Sequence, residues 1–485
     1  MQYEPVIGLE VHIQLKTNTK IFCNCSTEFG AEPNSQVCPV CLGMPGVLPV
    51  LNKRVIEFVT RFALATDSRI NRRSVFARKN YFYPDLPKAY QISQFDEPFC
   101  EHGHLAINID GHEKTIGITR IHLEEDAGKS LHAESFVGRD ETLVDINRCG
   151  VPLAEIVSEP DFRSPTEAYE YLVRLRQIVR YLGICDGNME EGSLRCDANI
   201  SLRPVSGDGT FGVKTELKNM NSFRSVEKAL EFEIHRQELI LEEGGTIDQQ
   251  TLLWDANRNV AEPMRSKEYS HDYRYFPEPD LVPVIMEQEY INNVKADMPE
   301  LPQVKFDRFT QEFGLPEYDA RVLTETPELA NYFENIARKI NDKKLASNWV
   351  MGPVLRTLKE ENCTLHELKI TPERLAELLK LLEDEEISTK SAETVFEDIR
   401  KNGTSPKKIV EEKGLKQIKD EGAIENAVEN VVNNNPAEVK AYLNGKDKLL
   451  GFFMGQAMKE TRGKADPKKI NELLRQRLSA LKEKR

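Results

Sequence analysis

Near its start the chain alternates strictly, with Ile7, Leu9, Val11, Ile13 and Leu15 separated by Gly8, Glu10, His12 and Gln14. Side chains two apart share a strand face, so the pattern predicts a strand with one apolar face, and with Glu10 and His12 projecting together about 6–7 Å apart. Similar patterns recur. Ile116, Ile118, Arg120, His122 and Glu124 fall on one face of a second predicted strand, with Glu125 and Asp126 at its end. A third strand sets Arg195, Asp197, Asn199 and Ser201 against Ala198, Ile200 and Leu202, and a fourth sets Lys214, Glu216 and Lys218 against Val213, Thr215 and Leu217.

Helical periodicity interrupts this pattern twice. Ser164-Pro165-Thr166-Glu167 supplies an N-cap, a proline at the first helical position and a capping-box glutamate, and Leu172, Leu175, Ile178, Val179 and Leu182 form one apolar stripe ending at Gly183. A second helix runs from Ser222 or Ser225 through Leu230, Ile234 and Leu241 to Gly244-Gly245. The proline-rich run Pro277–Pro283, with Pro299 and Pro302 after it, marks a first boundary. Beyond it the pattern is helical, as in Thr371-Pro372-Glu373-Arg374 leading into Leu375, Leu378, Leu379 and Leu382, with a break at Gly403–Pro406. The expectation is an α+β chain: an antiparallel-sheet domain over 1–292, an all-α domain over 293–405 and a small all-α tail over 406–485.

Length and composition agree with three domains. The 485 residues are 40% hydrophobic and 30% charged, a globular balance that excludes wholesale disorder and collagen-like sequence. No apolar run approaches the roughly 20 residues that cross a bilayer, and the N-terminus lacks a basic start and apolar h-region, so a cytoplasmic protein with no membrane partner is expected. The net charge is −14, which at first argues against nucleic acid. Its distribution reverses that inference: residues 1–292 hold 31 Lys+Arg and 45 Asp+Glu, while residues 437–485 hold 13 basic and 6 acidic residues. The basic end is suited to phosphates.

The polar strand face has two readings. One is an ordinary solvated face of an antiparallel sheet. The other is a site, because solvated faces favour Lys, Glu and Thr, whereas this one gathers His, Asp, Asn, Arg and paired carboxylates. Such groups bind a divalent cation and a polyphosphate. Magnesium takes oxygen ligands and bridges carboxylates to phosphates, which makes Glu10, Glu124, Glu125 and Glu155 candidate ligands. His12 is softer than magnesium prefers, leaving manganese or an outer-shell role open. Neither G-x-x-x-x-G-K-[ST] nor G-x-G-x-x-G after a strand is present, so a bound ATP would lie on an uncommon scaffold.

The nine cysteines include Cys23-Asn24-Cys25 and Cys38-Pro39-Val40-Cys41. This C-x-C and C-x-x-C pairing suits a closed structural Zn²⁺ site; reduced thiols or a redox pair are the alternatives. Cys100, Cys149, Cys185, Cys196 and Cys363 lack partners at metal spacing and read as ordinary buried thiols.

Long blocks carry a resemblance. They are Gly8–His12, Arg78–Lys88, Leu123–Asp126, Val144–Ile156, Glu190–Asn199, Glu216–Ser222 and Ser270–Pro277, with Gly463–Pro467 near the end. Together they resemble the B subunit (GatB/GatE) of the glutamyl/aspartyl-tRNA amidotransferases over nearly the whole chain. The resemblance implies a ligase, with a cradle-shaped kinase region followed by helical tRNA-gripping domains. It also implies a heterotrimer whose other members are an amidase-type glutaminase subunit, and a small third subunit. It implies ATP- and Mg²⁺-dependent phosphorylation of the side-chain carboxylate of mischarged Glu-tRNA(Gln) or Asp-tRNA(Asn), then amidation by ammonia. On that basis Glu10, His12, Glu124, Glu125 and Glu155 fall in the metal region. Lys79, Lys88, Arg195 and Lys218 meet phosphate or acyl phosphate, and Tyr81, Tyr83 and Asp197 line the substrate pocket or ammonia path. In the tail, Lys440, Lys446, Lys448, Lys459, Arg462, Lys464, Lys468, Lys469, Arg475 and Arg477 are the expected phosphate contacts. The competing class is a non-catalytic RNA-binding adaptor with a zinc knuckle, which leaves the carboxylate-rich face idle.

Overall fold

In a computed structural model of the chain, the described residues are 2–132, 141–206, 209–264, 272–417, 421–461 and 465–483. They form two compact units, residues 1–302 and 303–485. The first begins with β1 (Tyr3–Gln14), α1 (Lys53–Ala65), β2 (Arg69–Ile70), β3 (Arg73–Ser74), β4 (Ala77–Asn80) and β5 (Tyr90–Ser93). It continues through β6 (Cys100–Ile109), β7 (His112–Glu125), β8 (Lys129–His132), β9 (Thr142–Asp145), β10 (Pro152–Ser158) and α2 (Pro165–Tyr181). It ends with β11 (Leu194–Pro204), β12 (Thr215–Lys218), α3 (Phe223–Glu242), β13 (Thr251–Asp255), β14 (Val260–Pro263), β15 (Phe276–Pro277), β16 (Val284–Ile285) and α4 (Gln288–Ala296).

Nine strands make one sheet in the order β14-β13-β12-β11-β1-β10-β7-β6-β2. The main departure from the expected antiparallel sheet is β12–β13, which pair in parallel. The reason is α3, whose 20 residues carry the chain back to the end of the sheet at which β12 began. Its N-cap is Ser222, and the Ser164 hydroxyl accepts the Glu167 amide at the start of α2, as the capping pattern predicts. The helices cover one face. Ile7, Leu9, Val11 and Ile13 from β1 pack there with Val55, Val59 and Phe62 of α1 and Leu172, Leu175 and Val179 of α2.

Two strand readings need correction. The alternation in β7 does not hold one face from Ile116 to Glu124: the β7–β10 ladder shifts between Val157 and Ser158, pairing Val157 with Arg120 but Ser158 with Ile118. Thr119 is the extra residue of a β-bulge. Ile116 and Ile118 therefore share the buried face with Ile121 and Leu123, while Arg120 is turned to the face of His122 and Glu124. Lys214 precedes β12 and is exposed in a loop, so it does not share the strand face of Glu216 and Lys218.

Among the described residues, the named elements of the second unit are all helices. The helix Pro372–Glu383 starts at an N-cap Thr371 and buries Leu375, Leu378 and Leu379 as the spacing implies, with Leu381 rather than Leu382 completing the stripe. The helix Pro406–Glu412 packs on Pro372–Glu383 and on Thr389–Asn402. A separate apolar cluster begins at Ile424 and Val428 and includes Phe453, Ile470, Leu474 and Leu478. No helix among the described residues is long and apolar enough to cross a membrane.

Candidate metal and anion site

Pairing in the sheet turns alternation into a site. Opposite residues of antiparallel strands project to the same face, and β11, β1, β10 and β7 align Arg195, His12, Glu155 and His122 in one row. The Glu155 carboxylate lies 3.2 Å from His12 Nε2 and 3.1 Å from His122 Nε2. Glu124, one strand pleat further on, approaches His12 Nε2 to 3.6 Å and accepts from Ser93 Oγ at 3.4 Å. Ligand atoms of His12, Glu124 and Glu155 all lie within 4.8 Å of one another.

Electrostatics follow from that crowding. Burial alone would push the Glu155 carboxyl up, but the imidazoles of His122 and His12 outweigh it and hold it well below the usual carboxylate range. Burial likewise opposes the His12 cation, yet Glu155 and Glu124 raise its pKa overall. Two carboxylates and an imidazole converge where one divalent cation could take the place of the protons. Glu10 stands beside this triad rather than in it. It accepts from Asn199 Nδ2 at 2.9 Å, and burial, then Glu155, Glu216 and Asp197, push its pKa up.

Glu125 is placed apart from the other expected ligands. It ends β7 on the opposite side, where Lys88 Nζ donates to it and the Ile92 amide donates at 2.9 Å. Both members of the Lys88–Glu125 pair are almost fully buried, lining a cavity with Cys23, Cys41 and Gly43. Removing one partner of a buried pair strands the other charge. Lys88→Met is therefore expected to destabilise the first unit by about 3–5 kcal/mol, read from the denaturant midpoint. Lys88→Met/Glu125→Gln should recover most of that loss, and a double variant no better than the single one would contradict the pairing.

The expected phosphate contacts are in part already neutralised. Arg195 Nη2 meets Asp126 at 3.0 Å, and Lys218 Nζ lies 2.8 Å from Asp197 and 2.9 Å from Glu216. Lys79 lies 4.8 Å from the Tyr273 ring centroid and 5.7 Å from that of Tyr81. Tyr81 donates to Gln91 Oε1 at 3.3 Å, and burial, then Glu124 and Glu125, push its phenol far up, so it stays protonated. Tyr83 is half exposed beside Tyr81.

Sequence reasoning left four contributors out of the site. His122 was placed on its strand, but only the row with Glu155 shows its role. Asp126 is buried and takes Arg195, Arg148 and the Gln14 side-chain amide; those partners outweigh the desolvation of its carboxyl and hold its pKa down. Arg120 reaches the face through the bulge. Tyr275, stacked on Phe95 with centroids 4.1 Å apart, carried no signal beyond its own motif block. Ser270 and His271 of that block lie outside the described residues.

The four knuckle cysteines do converge, with their sulfurs all within 4.8 Å and Cys38 and Cys41 at 3.9 Å. A tetrahedral site with Zn–S bonds of about 2.3 Å has sulfur–sulfur edges near 3.8 Å, so the donor set fits. The Cys41 thiol is pulled down to about 4, chiefly by a hydrogen bond from Cys23 and in smaller part by Lys20, whose Nζ lies 3.7 Å away. Lys20 is fully buried. Asn34 and Gln36 of the intervening loop bond to Val144, Asp145, Ile146 and Asn147, which clips the knuckle to the stretch leading into β10. Of the remaining cysteines, Cys363 is partly exposed, not buried.

Comparison with known proteins decides the family. Residues 5–292 match the family model described as the GatB/GatE catalytic domain, and residues 331–478 match the one described as the GatB domain. The B subunit of an aspartyl/glutamyl-tRNA(Asn/Gln) amidotransferase from Geobacter sp. (strain M21) is 57% identical over 479 residues, covering 99% of this chain and 100% of the relative. The chain belongs to that family. Proteins of the same name from Thermodesulfovibrio yellowstonii, 56% identical over 98% of this chain and 99% of their own, and Chlorobium phaeobacteroides, 55% identical over 99% and 100%, are similarly close. The triad and its neighbouring cations all fall within the GatB/GatE catalytic match, and the expected tail contacts from Lys440 to Arg477 fall within the GatB-domain match. In that tail Lys440, Lys446, Lys448, Lys459, Lys468, Arg475 and Arg477 are exposed, and Lys469 is half-buried. Arg477 pairs with Glu429, and Arg462 and Lys464 lie outside the described residues.

Proposed function

We propose that this chain phosphorylates the side-chain carboxylate of mischarged Glu-tRNA(Gln) or Asp-tRNA(Asn) and amidates it in the cytoplasm, as one member of a heterotrimer with an amidase-type glutaminase and a small third protein. The observation that supports this reading is the convergence of His12, Glu124 and Glu155 on a face that also carries arginine and lysine. Phosphoryl transfer needs positioning and charge neutralisation more than covalent help from the protein. The triad would hold a divalent cation, which when bound neutralises phosphate charge. A carboxylate oxygen of the substrate forms a bond to the terminal phosphorus of ATP while the bridging P–O bond breaks, leaving ADP. Ammonia then bonds to the acyl carbon, the C–O bond breaks, and the departing phosphate takes the proton that nitrogen loses.

The buried, protonated Tyr81 donates hydrogen bonds but does not act as a base. Lys218, between Asp197 and Glu216, serves to hold that edge of the face in shape. The zinc knuckle has no open ligand position and supports structure. For the helical unit we propose a division after residue 417, because Gln417 bonds back to Glu386 and the apolar cluster of the tail begins at Ile424.

Two experiments test this reading. ATP hydrolysis by the reconstituted complex should require Glu-tRNA(Gln) or Asp-tRNA(Asn); hydrolysis indifferent to charged tRNA would refute it, and no hydrolysis at all would favour the adaptor. Deleting residues 421–485 removes a self-contained apolar cluster with its exposed basic residues. The KM for charged tRNA should then rise by roughly tenfold or more while that for ATP stays within about twofold, since backbone phosphates dominate tRNA affinity. Equal changes in both would contradict a tRNA-gripping tail.

A further inference from the structure

We propose that Arg120 receives the terminal phosphate of ATP, an assignment that rests on the phosphotransfer reading of the triad. Arg195 and Arg148 share the Asp126 carboxylate, at 3.0 and 3.6 Å. Lys218 lies between two carboxylates, and Lys88 belongs to Glu125 on the opposite side of the sheet. A cation already paired has little field left for an incoming anion.

Arg120 differs. Among the described residues its guanidinium has no carboxylate at ion-pair distance, and its Nε is buried without a hydrogen-bond partner. Burying an unpaired donor is costly, and such groups call for an explanation. A ligand that accepts from the guanidinium supplies one.

The fold also departs from regularity to put Arg120 there. Had β7 continued from Ile116 and Ile118 without a bulge, residue 120 would point into the apolar core. The extra residue Thr119 instead lines Arg120 up with His122 and Glu124. Arg120 is two residues from His122, about 6–7 Å along the strand, and its cross-strand partner Val157 is two residues from Glu155. The Tyr275 phenol reports the shared space: burial, Glu124 and Glu155 push its pKa up while Arg120 pulls it back.

The ligand class follows from the donor. A guanidinium offers a planar fork to phosphate oxygens, and its place beside a candidate cation site suits the group being transferred, whose charge both would neutralise.

The test uses the full chain in the assembled complex with Mg²⁺. Equilibrium affinities for ATP, ADP and AMP are compared between the unaltered protein and R120Q and R120K, with zinc content and melting temperature as controls for folding. R120Q should weaken ATP roughly ten- to a hundredfold and AMP no more than about twofold, as expected for loss of a hydrogen bond to a charged group. R120K should recover part of the loss, and added guanidinium ion should partly restore phosphorylation in R120G. Unchanged ATP affinity, or equal losses for ATP and AMP, would overturn the proposal. A raised KM for charged tRNA with intact ATP affinity would also overturn it and move Arg120 to the substrate carboxylate. E124Q separates the layers: if it leaves Mg²⁺-dependent phosphorylation unchanged, the phosphotransfer reading falls and Arg120 with it. If E124Q abolishes that activity while R120Q keeps normal ATP affinity, only the Arg120 assignment falls.

Discussion

Glu155→Gln is expected to lower charged-tRNA-dependent ATP hydrolysis by roughly a hundred- to a thousandfold, the scale for removing one preorganised charge from such a site. The carboxylate stands between His12 and His122 at 3.2 and 3.1 Å, and the two imidazoles hold it below the usual carboxylate range against its burial. Glutamine keeps the shape and one acceptor but removes the negative charge that would hold a cation. The Mg²⁺ concentration for half-maximal activity should rise, and raising Mg²⁺ or substituting Mn²⁺ should recover part of the rate. Glu124→Gln should behave alike. Glu125→Gln should not, because Glu125 faces Lys88 across the sheet; its effect should appear in stability with normal Mg²⁺ dependence. A steady-state titration of rate against Mg²⁺ for the three variants decides the matter. If Glu155→Gln retains activity within about threefold, the metal assignment is wrong.

Cys41→Ser is expected to reduce bound zinc from stoichiometric to near zero and to loosen the segment 23–41. Structural zinc sites contribute folding energy directly. Here the loss has a second part, because Lys20 is fully buried and its Nζ lies 3.7 Å from the Cys41 sulfur. With the Cys41 sulfur gone, that ammonium retains the carbonyls of Gln36 and Ile146 but loses its sulfur partner. Uncompensated buried charge costs about 3–5 kcal/mol, which at roughly 2–4 °C per kcal/mol corresponds to a fall in Tm of order 10 °C. Lys20→Met in the Cys41→Ser background should restore part of the loss. Metal analysis and thermal unfolding measure both effects. Normal zinc content, or an unchanged Tm, would sink the structural-zinc reading.

Much of the fold is legible in the sequence because local rules set it. Ser164, Pro165 and Glu167 announce α2, and Ser222 with Gly244 brackets α3, since caps and glycine ends act within a turn of the residues that make them. The alternation in β1 separates the apolar face from Glu10 and His12 without reference to any other strand. The C-x-C and C-x-x-C spacings mark the knuckle because four sulfurs need only a short loop to meet.

The site itself was read in part. Strand neighbours are not written in a strand's own residues, so no local pattern shows that His122 sits across from Glu155, or that Asp126 gathers Arg195, Arg148 and Gln14. Glu124 and Glu125 are adjacent and chemically alike, yet strand pleating sends them to opposite sides, one to the triad and the other to Lys88. The bulge at Thr119 is the sharpest case. Strict alternation puts Arg120 with Ile116 and Ile118, and only the register of β7 against β10 moves it to the polar face.

By itself the sequence determined the limits of α2 and α3, the amphipathic faces of β1 and β11, the cysteine knuckle, the basic tail and, through its long motif blocks, the family. These depend on neighbours within a few residues or on direct likeness of sequence. Tertiary structure alone decided which carboxylates meet which imidazoles, which cations are already neutralised and which side of the sheet each acid serves. Those depend on strand register and burial, where a shift of one residue exchanges the two faces.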